Sequence, residues 1–195
     1  GVIPMGSRLK QRGSKKHLIG VFSAVFAVAG LVYFLASGLE KTGTQIPSPL
    51  IGKKAPPIKV EWLQGKDLVE SASEKFLTLE DLKGRPIVLN FWASWCVSCR
   101  TEAYDFEKYW RAFKGQDVVV LGVAIQTETA DAVAFANQFG KTYLLAKDVD
   151  GKVSIDYGIT GVPETFFINR KGYVIHKEAR PISYKLLMNL SQKIL

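Results

Sequence analysis

From residue 58 onward, short apolar runs alternate with stretches in which apolar positions return every three or four residues. Strand-like runs fall at 59–63, 86–91, 118–125, 165–168 and 173–177. Two of them, Ile87-Val88-Leu89-Asn90-Phe91-Trp92 and Val118-Val119-Val120-Leu121-Gly122-Val123-Ala124, are apolar at nearly every position, as expected of central strands covered on both faces. Between them Ala103, Phe106, Trp110 and Phe113 recur at helical spacing, which places Glu107, Lys108, Arg111 and Lys114 on the solvent side. A second helix is predicted over 129–139, with Ala132, Val133, Ala136 and Phe139 inward, and a third over 182–195. Asn169-Arg170-Lys171-Gly172 is a hairpin turn signal. Strand, helix, strand, helix, hairpin and closing helix together predict an α/β fold, a mixed sheet with helices on both faces.

Upstream the pattern changes. Residues 18–39 carry no charge, and these 22 residues as a helix span about 33 Å, enough for a bilayer core. Five basic residues, Arg8, Lys10, Arg12, Lys15 and Lys16, precede this run, and Lys41 follows it. The positive-inside rule therefore orients the N-terminus to the cytoplasm and the rest outward. A cleaved signal peptide competes, with Ala36-Ser37-Gly38 as small residues near a cleavage point. The run exceeds the usual signal core of about 7 to 15 residues, which favours a retained anchor. Pro47, Pro49, Pro56, Pro57, Gly43 and Gly52 make the following stretch read as an extended tether. The expected division is a basic cytoplasmic tail at 1–17, a transmembrane anchor at 18–39, a linker at 40–57 and a catalytic domain at 58–195.

The formal charge of +8 does not point to nucleic acid, because removing the five tail residues leaves 21 basic against 18 acidic residues. So small an excess makes no basic stripe, and no nucleic-acid partner is expected. The two cysteines are too few for a disulfide framework. Their spacing, Cys96-Val97-Ser98-Cys99, between a buried strand and an amphipathic helix, points to redox chemistry. Orphan N–H groups and the helix dipole at a helix N-terminus favour a thiolate, making Cys96 the nucleophile. Cys99, a turn deeper, is the resolving thiol that releases a mixed disulfide. Zinc would need two further ligands, and the only histidines are His17 and His176, so no metal is expected. Arg100 after Cys99 excludes haem attachment, and no cofactor beyond the redox-active disulfide is expected.

Pro163 lies within Gly161-Val162-Pro163-Glu164-Thr165-Phe166-Phe167, where a proline entering a strand marks an edge, a start or a bulge and a tight Val-Pro turn suits a cis bond. The sequence here resembles the thioredoxin superfamily, which implies a cis-proline loop packed against the CxxC helix. Pro163, with Val162 and Glu164, would then present backbone beside Cys96 to a partner's extended chain. The resemblance is closer still along Pro47-Ser48-Pro49-Leu50-Ile51-Gly52-Lys53, Asn90-Phe91-Trp92-Ala93-Ser94-Trp95-Cys96, Cys99-Arg100-Thr101-Glu102 and Tyr157-Gly158-Ile159-Thr160-Gly161-Val162-Pro163-Glu164-Thr165-Phe166. These stretches are similar to membrane-anchored cytochrome c maturation thioredoxins of the CcmG/DsbE type and, more loosely, to the ResA and TlpA type.

That resemblance implies a protein-disulfide reductase on the periplasmic side of the bacterial inner membrane. It would keep apocytochrome c CxxCH cysteines, or a maturation partner, reduced, and be reduced itself by a transmembrane carrier of the DsbD or CcdA kind. Val97 stands where the family often has proline, in the dipeptide between the cysteines that tunes the reduction potential. Glu102, three residues after Cys99, and Glu164, after Pro163, match acids near the family's thiols; such carboxylates would oppose thiolate formation and could accept the Cys99 proton. Trp95 is expected to cover the disulfide and help bind substrate, while Trp92 and Trp110 are expected in the core. An extracytoplasmic oxidant or isomerase, and a module that holds apocytochrome without turnover, are the alternatives; an intact CxxC argues against the second.

Overall fold

The computed structural model describes residues 14–40, 48–69 and 73–195, and the chain divides into two units, Gly1–Ile46 and Pro47–Leu195. In the first unit, helix α1 (Ser14–Glu40) has its apolar side chains exposed from Leu18 to Leu35. Leu18–Leu35 is long and apolar enough to cross a membrane, by length and composition. Arg8, Lys10 and Arg12 of the expected tail, and the first part of the expected linker at 41–47, lie outside the described residues.

The second unit is a seven-stranded mixed sheet. In chain order its elements are β1 (Lys59–Gln64), β2 (Phe76–Thr78), β3 (Ile87–Trp92), α2 (Val97–Phe113), β4 (Val119–Ala124), α3 (Thr129–Gln138), β5 (Leu144–Lys147), α4 (Lys152–Asp156), β6 (Glu164–Ile168), β7 (Val174–Glu178) and α5 (Tyr184–Ser191). The sheet order is β2-β1-β5-β4-β3-β6-β7, with β3, β4 and β5 parallel and every other pairing antiparallel. Every residue of β3 and β4 is buried, because two cores sandwich the sheet. Val88, Trp92, Val120, Ala124 and Phe167 face α2, α3 and α5, whereas Leu89, Phe91, Leu121, Val123 and Phe166 face α4 and the N-terminal segment of the unit. Helix α5 is tied to α2 where Tyr109 Oη donates to Ser191 Oγ at 2.6 Å.

The linker reading fails for residues 48–57. Gly52 N–H donates to the Val174 carbonyl at 2.8 Å, Ala55 N–H to Gly172 at 2.8 Å, and Val174 N–H back to Lys53 at 2.9 Å. Leu50 and Ala55 pack on the core, and Tyr157 Oη donates to the Pro56 carbonyl at 3.0 Å. The prolines and glycines serve an irregular segment laid along the hairpin of β6 and β7, so the folded unit begins before residue 58.

Two side-chain assignments change as well. On α3, Phe135 is buried and stacks on Trp92 with ring centroids 4.9 Å apart, while Val133 is 40% exposed. Glu107 is buried rather than solvated, accepting from Thr142 N–H at 2.8 Å, Thr142 Oγ1 at 2.7 Å and Arg111 Nε at 2.7 Å. Helix α4, which the periodicity did not show, is nucleated by Asp148, whose carboxylate accepts from Val153 N–H, Ser154 N–H and Ser154 Oγ. The hairpin turn forms where expected: Asn169 Oδ1 accepts from Lys171 and Tyr173 N–H, and Gly172 takes a φ of 77° that favours glycine.

Candidate active site

Strand β3 ends at Trp92, and Ala93-Ser94-Trp95 turn the chain into α2 with Cys96 as the helix N-cap. Cys96 is bonded to Cys99 with their Cα atoms 5.3 Å apart, inside the usual disulfide span. Cys99 N–H, one of the orphan donors of the first turn, points at Cys96 Sγ from 3.0 Å. In the reduced site the same donor stabilises negative charge on Cys96. Cys96 is 5% exposed and Cys99 1% exposed, so an incoming sulfur reaches Cys96 first.

Two loops close on this turn. From the end of β4, Thr127 Oγ1 accepts from Ser94 N–H at 3.2 Å, and the Gln126 carbonyl accepts from Trp95 Nε1 at 2.9 Å. Trp95 is 57% exposed, an apolar surface beside Val97, which is 75% exposed. From the other side, Phe91 pairs with Glu164, and this register brings Val162-Pro163 level with the cysteine turn. The Val162–Pro163 bond is cis, and the Val162 carbonyl oxygen lies 3.5 Å from Cys96 Sγ.

The two candidate acids part company. Glu102 is buried on α2 one turn after Cys99; its Oε1 accepts from Asn90 Nδ2 at 2.9 Å and its Oε2 from Ile182 N–H at 3.0 Å. Burial pushes its pKa up to about 7, against the pull of those two donors and of the Lys141 charge. Glu164 is also buried, yet its Oε1 accepts from Thr160 N–H and Oγ1, and its Oε2 pairs with Lys177 Nζ at 2.8 Å. A carboxylate so neutralised anchors the loop that ends in Pro163, and the expected role of Glu164 as a charge offered to thiols or partner is not the geometry found. Cys96, Cys99, Val162, Pro163 and Trp95 thus gather at one surface, with Glu102 behind them.

Sequence reasoning missed three contributors. Asn90 is a lone polar residue in an apolar run, and it orients Glu102 while also donating to Thr165 Oγ1 at 3.2 Å. Gln126 adopts a φ of 47°, uncommon for a residue other than glycine, and so aims its carbonyl at Trp95. Lys141 is buried with its Nζ 4.1 Å from the Trp92 ring centroid. Its place after Phe139-Gly140 reads in sequence as an ordinary solvated lysine.

A CxxC disulfide capping a helix, faced by a cis-proline loop on a seven-stranded mixed sheet, defines a thioredoxin-like protein-disulfide oxidoreductase. Residues 51–177 match the AhpC/TSA family, and the chain is 35% identical over 164 residues to the thiol:disulfide interchange protein DsbE of Pseudomonas fluorescens biotype C, covering 84% of each. The chain belongs to the DsbE family of thiol:disulfide interchange proteins. It is also 32% identical to DsbE of Escherichia coli strain K12, over 85% of both chains. Among solved structures, MTB DsbF in its mixed oxidised and reduced forms aligns with a TM-score of 0.61 and 26% identity, covering 71% of this chain and 95% of that one.

Proposed function

We propose that this oxidoreductase works as a reductant in cytochrome c maturation, reducing the disulfide of an apocytochrome c CxxCH motif or of a maturation partner. The observation that carries this reading is the buried Glu102 carboxylate one turn from Cys99. A disulfide is a strong oxidant when its reduced form is stabilised, chiefly as a thiolate. Negative charge behind the thiols opposes that thiolate and draws the couple toward reduction of others.

In the forward reaction the Cys96 thiolate attacks a substrate sulfur, forming a mixed disulfide and expelling the first substrate thiolate. Cys99 gives its proton to Glu102 and attacks Cys96 Sγ; the Cys96–Cys99 bond forms and the second substrate thiolate leaves. Two electrons pass from the dithiol to the substrate disulfide, and the substrate thiolates take up protons. Trp95, Val97 and the Val162 carbonyl form the surface that receives the partner's extended chain. Leu18–Leu35 supports anchoring in the bacterial inner membrane with the folded unit in the periplasm. A transmembrane thiol carrier of the DsbD or CcdA kind then returns the electrons. A tether of this sort raises the effective concentration of enzyme near its donor.

Trapping tests the scheme. Cys99→Ser, incubated with an oxidised CxxCH peptide, is expected to accumulate a one-to-one mixed disulfide at Cys96, seen as an adduct by mass spectrometry. Cys96→Ser is expected to form none. An adduct that forms equally well with any unfolded disulfide protein would remove the substrate assignment.

A further inference from the structure

The end of the sheet opposite the disulfide carries charge that the redox site does not use. Strand β3 runs from Ile87 to Trp92, just before the cysteine turn, and its neighbour β6 runs back from Glu164 to Ile168. Ile87 and Ile168 therefore lie about 17 Å from the Trp92 end. Both line a surface groove of about 400 Å³. Its walls hold Lys54, Lys83, Arg85, Arg170 and Lys171 against one acid, Glu80. Asp117 at the adjoining turn pairs with both Arg85 and Arg170, which leaves an excess of three positive charges. Residues 47–195 hold 20 basic and 17 acidic residues, so this one face accounts for the net charge of the folded unit.

The charges are held in place. Arg170 bridges Asp117 and the Gly84 carbonyl, tying the turn between β6 and β7 to the loops before β3 and β4. Lys54 Nζ donates to the Lys171 carbonyl at 2.9 Å and lies 4.9 Å from the Tyr173 ring centroid. Lys83 and Lys171 are exposed and, among the described residues, have no ion pair. Like charges gathered on a rigid face repel one another unless an anion meets them.

We propose that this basic face docks on anionic phospholipid headgroups of the membrane that α1 enters, turning the Cys96–Cys99 end toward the aqueous side. The inference rests on the membrane anchoring given under the proposed function. Seven residues, 41–47, join Glu40 to Ser48, and fully extended they reach about 25 Å, so the folded unit is confined beside the bilayer. That confinement gives the lipid surface an effective concentration that a soluble acidic protein lacks. Headgroups also offer many phosphates at once to lysines and arginines spread over several loops. Tyr173, 37% exposed beside them, suits the headgroup level of a bilayer. A unit docked in this way leaves Trp95, Val97 and the Val162 carbonyl open to partners.

The test uses the full chain, inserted by α1 into nanodiscs of phosphatidylglycerol or of phosphatidylcholine that contain a gadolinium-chelating lipid. Broadening of amide NMR signals then reports closeness to the headgroups. In phosphatidylglycerol the amides of Lys83, Gly84, Lys171 and Gly172 are expected to broaden most, and those of Trp95, Val97 and Ser98 least. The contrast is expected to vanish in phosphatidylcholine and at high salt. Neutralising one lysine should lower the ratio of docked to undocked unit about fivefold. Lys83→Gln combined with Lys171→Gln should therefore erase the contrast, while the rate of reduction of a soluble disulfide peptide stays unchanged. Broadening spread evenly over the unit in phosphatidylglycerol, or strongest at Trp95 and Val97, would overturn the docking. A contrast of equal size in phosphatidylcholine would overturn its dependence on lipid charge. Signal shifts at Lys83 and Lys171 caused by soluble polyglutamate or inorganic phosphate, but not by phosphatidylglycerol, would overturn it in favour of a soluble anionic partner. A chain that elutes apart from the discs would overturn the anchoring itself, and the docking with it.

Discussion

Glu102 and Lys141 carry opposite shifts in one interior, and the two signs fix how stability depends on pH. Burial raises the Glu102 pKa from 4.5 to about 7, so the folded chain keeps a proton that the unfolded chain has released, and stability falls as pH rises across that window. Burial lowers the Lys141 pKa from 10.5 to about 7, so above neutrality the unfolded chain holds the extra proton and stability climbs again with pH. A minimum near neutral pH is therefore expected, checked by urea midpoints at about pH 5, 7 and 9. Glu102→Gln should flatten the acid side and Lys141→Met the alkaline side; a midpoint highest at neutral pH in the wild type would contradict both assignments. Cys96, Cys99 and Pro163 were legible in the sequence because their chemistry depends on local spacing and backbone form. Lys141 and Glu107 were not, since a charged residue at a helix end or on a helix flank reads as solvated until the packing that encloses it is known.

At the scale of elements, the two central strands and the helix after the cysteines were legible because long apolar runs and three-to-four periodicity persist in them. Strands β2 and β5 and helix α4 are only three to five residues long and carry no resolvable period. Residues 48–57 misled for another reason. Proline and glycine report backbone irregularity, and an irregular segment can lie on a core as readily as hang in water. A chain begun at residue 47 keeps this segment and sets the reference midpoint. A chain begun at residue 58 loses the pairing with β7 and the cover from Leu50 and Ala55, and should unfold much earlier. Tyr157→Phe removes the bond to the Pro56 carbonyl and should cost about 1 kcal/mol. Equal midpoints for the two truncations would show that the segment contributes nothing.

For the whole molecule, an apolar helix precedes a folded redox unit, and the charge flanking that helix sets the expected side. An alkaline phosphatase reporter joined after residue 40 is expected to be active, as it is only outside the cytoplasm, and a cytoplasmic reporter at the same joint inactive. The reverse result would place the disulfide in a reducing compartment and remove the need for a transmembrane donor. The central claim is that the Cys96–Cys99 couple gives electrons to its partners rather than taking them. Equilibrium titration of that couple against glutathione, with a CxxCH peptide as the second substrate, tests it most directly. The account predicts a couple more reducing than glutathione and net reduction of the peptide disulfide. A potential near that of DsbA, about −120 mV, with net oxidation of the peptide, would contradict it.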